Sequence, residues 1–204
     1  MKLLELFSGT GSIGRAFEAL GWEVTSLDLE GEPTIKCDIL EWDHTAFPPG
    51  HFQVVWASPV CCEFSKALTR RPRRLEEGDR LVLRTLELID YFKPRFWGLE
   101  NPQSGLLKTR PYMEGLPFQD VTYCSYGSPY RKRTRVWGTL PFVPRAQCFK
   151  GSRCESFRDG CHPTRAQRGS HCQQQLYAIP RELCEEIARS VNDVPLRMLQ
   201  SHLE

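Results

Sequence analysis

The fold of this chain is predicted by residues 3–21, which read LLELFSGTGSIGRAFEALG. The apolar run LLELF has the length of a buried strand, and it passes directly into a loop with glycines at positions 9, 11 and 14. The segment RAFEAL that follows has the spacing of a helix, and Gly21 is placed to end it. The stretch therefore predicts a strand, a glycine loop and a helix in succession.

The alternation of strands and helices continues along the chain. Further strands are predicted at 22–29, 52–57, 96–99, 121–124 and 136–139, and further helices at 75–92 and from Pro180 to Val191. Such an alternation predicts an α/β fold with a doubly wound, mostly parallel sheet. Residues 145–175 are rich in Cys, Arg, Gly, Ser and Gln with little apolar periodicity, so we expect a small irregular lobe there.

Composition limits the class of protein. The chain has 204 residues, 40% of them hydrophobic and 25% charged, which predicts one compact domain with at most a small appendage and no membrane span. A net charge of +2 is too small to predict nucleic-acid binding by itself. Nine cysteines without a secretory signal favour a reducing compartment, so we expect an intracellular protein, in the nucleus or the cytoplasm depending on the host.

The glycine loop matches the pattern GxGxxG, which suits a dinucleotide or S-adenosylmethionine. Asp28, at the end of the next strand, could bind a ribose hydroxyl, and Asp38 could accept a hydrogen bond from an adenine amino group. Glu5 favours the methyl donor, because a carboxylate attracts its ammonium and sulfonium groups and repels a pyrophosphate. Phe7 offers an aromatic face to adenine. A nicotinamide oxidoreductase remains the alternative.

Residues 57–65, ASPVCCEFS, directly follow a predicted buried strand. This position brings two thiols to the carboxyl edge of the sheet, where open α/β sheets bind ligands. A pair of core cysteines is the alternative interpretation.

Four segments together resemble the DNA (cytosine-5)-methyltransferase family. They are FSGTG at 7–11, PVCCEFS at 59–65, ENP at 100–102 and RKRTR at 131–135, in the order of the family's FxGxG, PPCQxFS, ENV and QxRxR motifs. In the family's motif the nucleophilic cysteine lies four residues before the serine, so the resemblance implies that Cys61, and not Cys62, is the nucleophile. Val60 and Cys62 depart from the family's second proline and glutamine.

The resemblance implies methyl transfer from S-adenosyl-L-methionine to carbon 5 of cytosine in DNA, through a covalent adduct of Cys61 at carbon 6. Glu100 would contact the base as a carboxyl that carries or shares a proton, and Arg133 and Arg135 would support the site. The resemblance implies donor contacts from Phe7, Gly9, Gly11, Ser12, Ile13, Asp28, Leu29, Asp38, Ile39 and Pro59. RNA methylation and a catalytically silent relative with a binding or regulatory role are the alternatives.

A cytosine inside a duplex has to be rotated out of the stack to reach Cys61, which requires contacts to the phosphate backbone. We expect a monomer that binds DNA through Ser65, Arg70, Arg71, Arg73, Arg74 and Arg131, and RNA remains possible as the partner. No membrane partner is expected.

The lobe at 145–175 carries enough soft ligands for a zinc ion, which could order a segment without a core of its own. The expected ligands are Cys148, Cys154, Cys161 and Cys172. A flexible basic loop with spare thiols is the alternative. The predicted organisation is a donor-binding catalytic domain at 1–144, the Cys/Arg-rich lobe at 145–175, and a C-terminal helix at 176–204 that packs back on the catalytic domain.

Overall fold

A computed structural model of the chain describes residues 1–149, 154–158, 161–164 and 177–195. Seven strands form one sheet in the spatial order β3-β2-β1-β4-β5-β7-β6. The strands are β1 (Lys2–Leu6), β2 (Glu23–Asp28), β3 (Ile35–Lys36), β4 (Val54–Ala57), β5 (Phe96–Pro102), β6 (Phe118–Thr122) and β7 (Arg133–Gly138).

The sheet is mostly parallel. Strand β1 lies between β2 and β4, and every pairing from β3 across to β5 is parallel, whereas β7 runs antiparallel to both β5 and β6. The carboxyl ends of β1, β2, β4 and β5 therefore lie along one edge, which is where such sheets bind ligands. The predicted doubly wound, mostly parallel sheet is confirmed.

Helices cover both faces of the sheet, and the strand sequences show why. Successive strand residues point to opposite faces, so Leu3 contributes to one core and Leu4 to the other. Helix α1 (Ser12–Glu18) and helix α3 (Arg181–Asn192) pack on the face of Leu3, and helix α2 (Leu75–Phe92) packs on the face of Leu4.

Two observed boundaries change the setting of functional residues. Strand β5 continues to Pro102, so Glu100 lies within the sheet and not in a loop after it. Strand β6 ends at Thr122, earlier than predicted, and Cys124 lies in the 3₁₀ turn Tyr123–Tyr126 that follows.

The predicted division of the chain at residues 144 and 176 stays a prediction. Among the described residues, no helix combines the length and apolar character needed to cross a membrane.

Candidate active site

A cleft of about 900 Å³ opens at the carboxyl edge of the sheet. Its walls come from the loops after β1, β2 and β4, from the end of β5, and from the segment that precedes α3. Both Cys61 and Glu100 line it, together with the glycine loop. The fold thus brings three of the segments singled out in the sequence to one place.

The loop after β1 is shaped by left-handed backbone conformations. Gly9 and Gly11 have φ values of 48° and 63°, which cost a glycine little. Phe7 also has a positive φ, 54°, which is unusual for a residue with a side chain and places its ring at the cleft. The Gly9 amide donates to Asp28 Oδ2 across 2.8 Å, so the carboxylate fixes the loop against the end of β2.

Glu5 is buried directly beneath this loop, with 3% of its surface exposed. Its Oε1 accepts a hydrogen bond of 3.2 Å from the Ile13 amide in the first turn of α1. A Cβ at Gly14 would come within 2.5 Å of Glu5 Oε2, which explains the third glycine of the loop. Burial raises the pKa of Glu5 to about 7, although backbone hydrogen bonds from Gly14 and Ile13 oppose the shift.

The loop after β4 carries Cys61 and is fixed at both ends. On one side, Asn101 Nδ2 donates to the Pro59 carbonyl across 2.9 Å. On the other side, the Phe64 ring is fully buried against Gly78 of α2, where a Cβ would come within 2.9 Å of the ring. Cys62 lies on the exposed side of the loop, whereas Cys61 is half-buried.

Two side chains that the sequence interpretation missed contact Glu100. The Tyr123 hydroxyl donates to Glu100 Oε1 across 2.9 Å, and Lys132 Nζ lies 3.7 Å from the same oxygen. Lys132 Nζ also lies 4.6 Å from the centre of the Tyr123 ring, a cation–π distance. A phenol and an ammonium group therefore contact the same carboxyl oxygen of Glu100.

The Cys61 thiol has an environment that disfavours its charged form. Burial raises its pKa to about 11, from an ordinary value of 9.0. The Lys132 ammonium opposes this shift, whereas the charges of Glu100 and Cys62 add to it. Lys132 is thus the cation that acts on the thiol.

Arg133 and Arg135 are placed differently from the expectation. Neither lines the cleft: Arg133 is exposed on β7, and Arg135 forms two hydrogen bonds with Asp120, of 2.7 and 2.9 Å. The Arg135 guanidinium also lies 3.5 Å from the centre of the Phe118 ring. The reason is strand alternation, because side chains two apart share a face and Lys132 lies on the other one.

The arginine segment 70–74 is anchored to the Cys61 loop. Glu63 accepts hydrogen bonds from Arg71, with which it forms an ion pair, and from the Arg74 amide. These hydrogen bonds lower the pKa of Glu63 to about 2. Arg73 Nε donates to the Ser65 carbonyl across 2.9 Å, and Arg70 is exposed.

Eight of the ten residues expected to contact the donor line the cleft. They are Phe7, Gly9, Ser12, Asp28, Leu29, Asp38, Ile39 and Pro59. The other two do not line it: Gly11 caps helix α1, and the side chain of Ile13 is buried in the core. The cleft also contains Tyr177 and Ile179, which the sequence interpretation did not include.

A second group of chemically active side chains lies outside the cleft. Sulfur atoms of Cys124, Cys148 and Cys154 and a ring nitrogen of His162 lie within 4.8 Å of one another. This group differs from the expected ligand set: Cys124 and His162 belong to it, Cys161 is exposed and outside it, and Cys172 lies outside the described residues. The difference arises because Cys124 comes from the turn after β6, distant in sequence from the lobe, and lies near the other three ligands only through tertiary packing.

Comparison with known proteins gives two similarities. No family model matches the chain. The chain is similar to the "Probable DNA (cytosine-5)-methyltransferase" of Frog virus 3 (isolate Goorha), with 37% identity over 168 residues that cover 74% of this chain and 77% of the viral protein.

Among solved structures, this chain is similar to a crystal structure from E. coli named "putative DNA modification methyltransferase encoded within prophage". The TM-score is 0.52 at 14% identity, and the match covers 72% of this chain but only 52% of that one, so this likeness concerns the fold alone. The sequence similarity decides the family, and the expectation of a methyltransferase is confirmed. The chain belongs to the DNA (cytosine-5)-methyltransferase family.

Proposed function

We propose that this protein transfers a methyl group from S-adenosyl-L-methionine to carbon 5 of cytosine in DNA, through a covalent bond between Cys61 and carbon 6 of the base. The observation that carries the proposal is the shared cleft of Cys61, Glu100 and the glycine loop. The Frog virus 3 relative, whose name specifies DNA and cytosine-5, supports the substrate.

The cleft fits the methyl donor. The left-handed glycines let the backbone approach a ligand closely, Phe7 offers an apolar ring, and Asp28 and Asp38 supply acceptors for hydroxyl and amino groups. Buried Glu5, with its pKa raised to about 7, can carry a negative charge beneath the loop, and a bound cation would favour that charged form whereas a pyrophosphate would disfavour it. When bound, S-adenosylmethionine supplies an electrophilic methyl group.

Cys61 would act on the cytosine ring. The Cys61 thiol would first give its proton to water, and its thiolate would then add to carbon 6, which makes carbon 5 nucleophilic. After carbon 5 is methylated, its proton passes to water, the electrons of the broken C–H bond restore the double bond between carbons 5 and 6, and the Cys61 sulfur leaves as thiolate. The cycle starts from a protonated thiol, because burial raises the pKa of Cys61 to about 11. The Lys132 ammonium is the group that favours loss of this proton.

Glu100 would hold the edge of the base that carries N3 and the exocyclic amine. The Tyr123 hydroxyl holds one carboxyl oxygen of Glu100, and the Glu100 backbone lies within strand β5. A carboxyl group fixed in this way restricts the base to one orientation in front of Cys61.

The proposal is tested with labelled donor and duplex DNA, single-stranded DNA and RNA as separate substrates. We expect label in DNA with the wild type and with Cys62→Ala, and none with Cys61→Ala. DNA that contains 5-fluorocytosine should trap a covalent complex, because fluorine at carbon 5 cannot leave as the proton does. Label transfer by Cys61→Ala would refute the role of Cys61, and label in RNA but not in DNA would refute the substrate.

A further inference from the structure

The four side chains of the Cys/His cluster come from two parts of the chain. Cys124 lies in the 3₁₀ turn Tyr123–Tyr126 that follows β6, whereas Cys148, Cys154 and His162 belong to the segment after the sheet. Cys124 and Cys148 are buried, with 2% and 3% of their surfaces exposed, and the other two are half-buried. The cluster therefore joins the lobe to the turn after β6.

The distances from the His162 imidazole nitrogen to two of the sulfur atoms match a tetrahedral zinc site. His162 Nε2 lies 3.5 Å from Cys148 Sγ and 3.4 Å from Cys154 Sγ. Tetrahedral zinc with its usual bond lengths to sulfur and nitrogen places these atoms about 3.6 Å apart. Three thiols and one imidazole are one of the ligand sets of structural zinc sites, which are closed to solvent and to substrate.

The surrounding contacts hold the ligands in position. The Cys148 amide donates to Thr122 Oγ1 across 2.9 Å, and Ser156 Oγ donates to the Cys124 carbonyl across 3.2 Å. The Phe157 ring packs edge-on against the His162 imidazole, with 5.3 Å between ring centres. Metal sites commonly have neighbouring residues that hold the ligands in a fixed orientation in this way.

We propose that Cys124, Cys148, Cys154 and His162 bind a structural zinc ion that fastens the Cys-rich lobe to the turn after β6. None of the four lines the cleft, so the ion has no part in methyl transfer itself. Its effect on the active site is indirect: Cys124 directly follows Tyr123, whose hydroxyl holds Glu100. This zinc site does not depend on the proposed substrate, and measurements of metal binding test it separately.

The first test measures zinc in the full chain, purified without chelators and with any histidine tag removed. We expect one zinc ion per chain by plasma mass spectrometry, and loss of that zinc in Cys124→Ser and Cys154→Ser. Cys161→Ser is the matched control, because it removes an exposed cysteine of the same lobe that lies outside the cluster and should retain the metal. Zinc that is lost from Cys161→Ser but kept by Cys124→Ser would overturn the ligand set.

A second test keeps the proposal falsifiable if the serine variants do not fold. Cobalt(II) replaces zinc in the wild-type chain. The intensity of the sulfur-to-cobalt charge-transfer band is then compared with standards that have two, three and four thiolate ligands. We expect three thiolates in a tetrahedral site. A count of two or four, or a reduced wild-type chain that binds neither metal, would overturn the proposal.

Discussion

Asn101 Nδ2 donates a hydrogen bond of 2.9 Å to the carbonyl of Pro59, which joins strand β5 to the loop that carries Cys61. Asn101 is almost fully buried, with 1% of its surface exposed. The residue that follows Glu100 thus helps to fix the Cys61 loop, and this contact links the two segments that carry Cys61 and Glu100.

Replacing Asn101 by Ala should therefore lower both stability and turnover. A buried carbonyl left without its donor costs about 1–3 kcal/mol, and the released loop loses the position of the Cys61 thiol. Urea unfolding and the rate of methyl transfer at saturating donor would measure the two effects. Asn192→Ala removes another long-range asparagine contact, to Trp22 Nε1 and outside the cleft, and should leave turnover unchanged. Equal turnover in the two variants would contradict a role for the hydrogen bond between Asn101 and Pro59 in positioning Cys61.

Lys132→Gln should slow alkylation of Cys61, because the Lys132 ammonium lowers the pKa of that thiol. Thiolate is the reacting form, so with a pKa of about 11 the wild-type rate should rise about tenfold per pH unit up to pH 10. The variant should need a higher pH for the same rate. Iodoacetamide labelling in a Cys62→Ala background, followed by mass spectrometry, measures this.

Arg133→Gln is the matched control for Lys132→Gln. It removes a neighbouring positive charge that is exposed on β7 and does not line the cleft. The pH profile of Cys61 labelling should stay as in the wild type. A shift as large as that of Lys132→Gln would show that general positive charge, and not Lys132, acts on the thiol.

Tyr123→Phe should lower the turnover number and leave donor affinity unchanged. The variant keeps the buried ring and removes only the hydroxyl that donates to Glu100 Oε1. Tyr126→Phe is a close control, because its hydroxyl lies in the same 3₁₀ turn but accepts from the Arg145 amide. Single-turnover kinetics and donor titration separate the two quantities, and equal turnover for both variants would argue against a role for Tyr123 in positioning Glu100.

Glu5 should make the protein less stable as the pH rises from about 4.5 to 7. Its pKa is about 7 in the folded chain and near 4.5 when unfolded, so the folded state binds more protons in this window. The loss is at most about 3 kcal/mol. Glu5→Gln should remove this loss, since the amide oxygen still accepts from Ile13.

Urea unfolding between pH 4.5 and 8 would measure the effect of Glu5. Glu41→Gln, at an exposed position, controls for the removal of one carboxylate. If Glu5→Gln lost as much stability as the wild type across this range, burial of Glu5 could not be the cause.

Much of the fold follows from local patterns in the sequence. The strand, glycine loop and helix at the N-terminus were predictable because each has its own periodicity or turn residue, and helix α2 was predicted with both of its ends. The end of β5 was not predictable in this way, because Glu100 and Asn101 break the apolar pattern although they lie within the sheet. The pairing of β5 with β7 overrides the local signal there.

Cys61 and Glu100 of the candidate site were predictable because they belong to sequence motifs. Tyr123 and Lys132 were not, because only their contacts with Glu100 in the folded chain assign them to the site. Glu100 lies opposite Val136 on β7, so both point to the same face, and Lys132 shares that face at a spacing of four residues. Period-two alternation from Val136 could have favoured Lys132 over Arg133 and Arg135. No comparable signal exists for Cys124, because its proximity to the lobe depends on tertiary packing.

The pairing of Glu63 with Arg71 also limits what the arginine segment 70–74 can contribute to DNA binding. An arginine that reaches a phosphate displaces condensed counterions, and the fall of affinity with salt measures how many are released. Arg71 would first have to leave a carboxylate of its own chain, so its gain from a phosphate is partly cancelled. The salt dependence of binding should therefore correspond to fewer cations than the four arginines of the segment, and neutralising Glu63 should make it steeper.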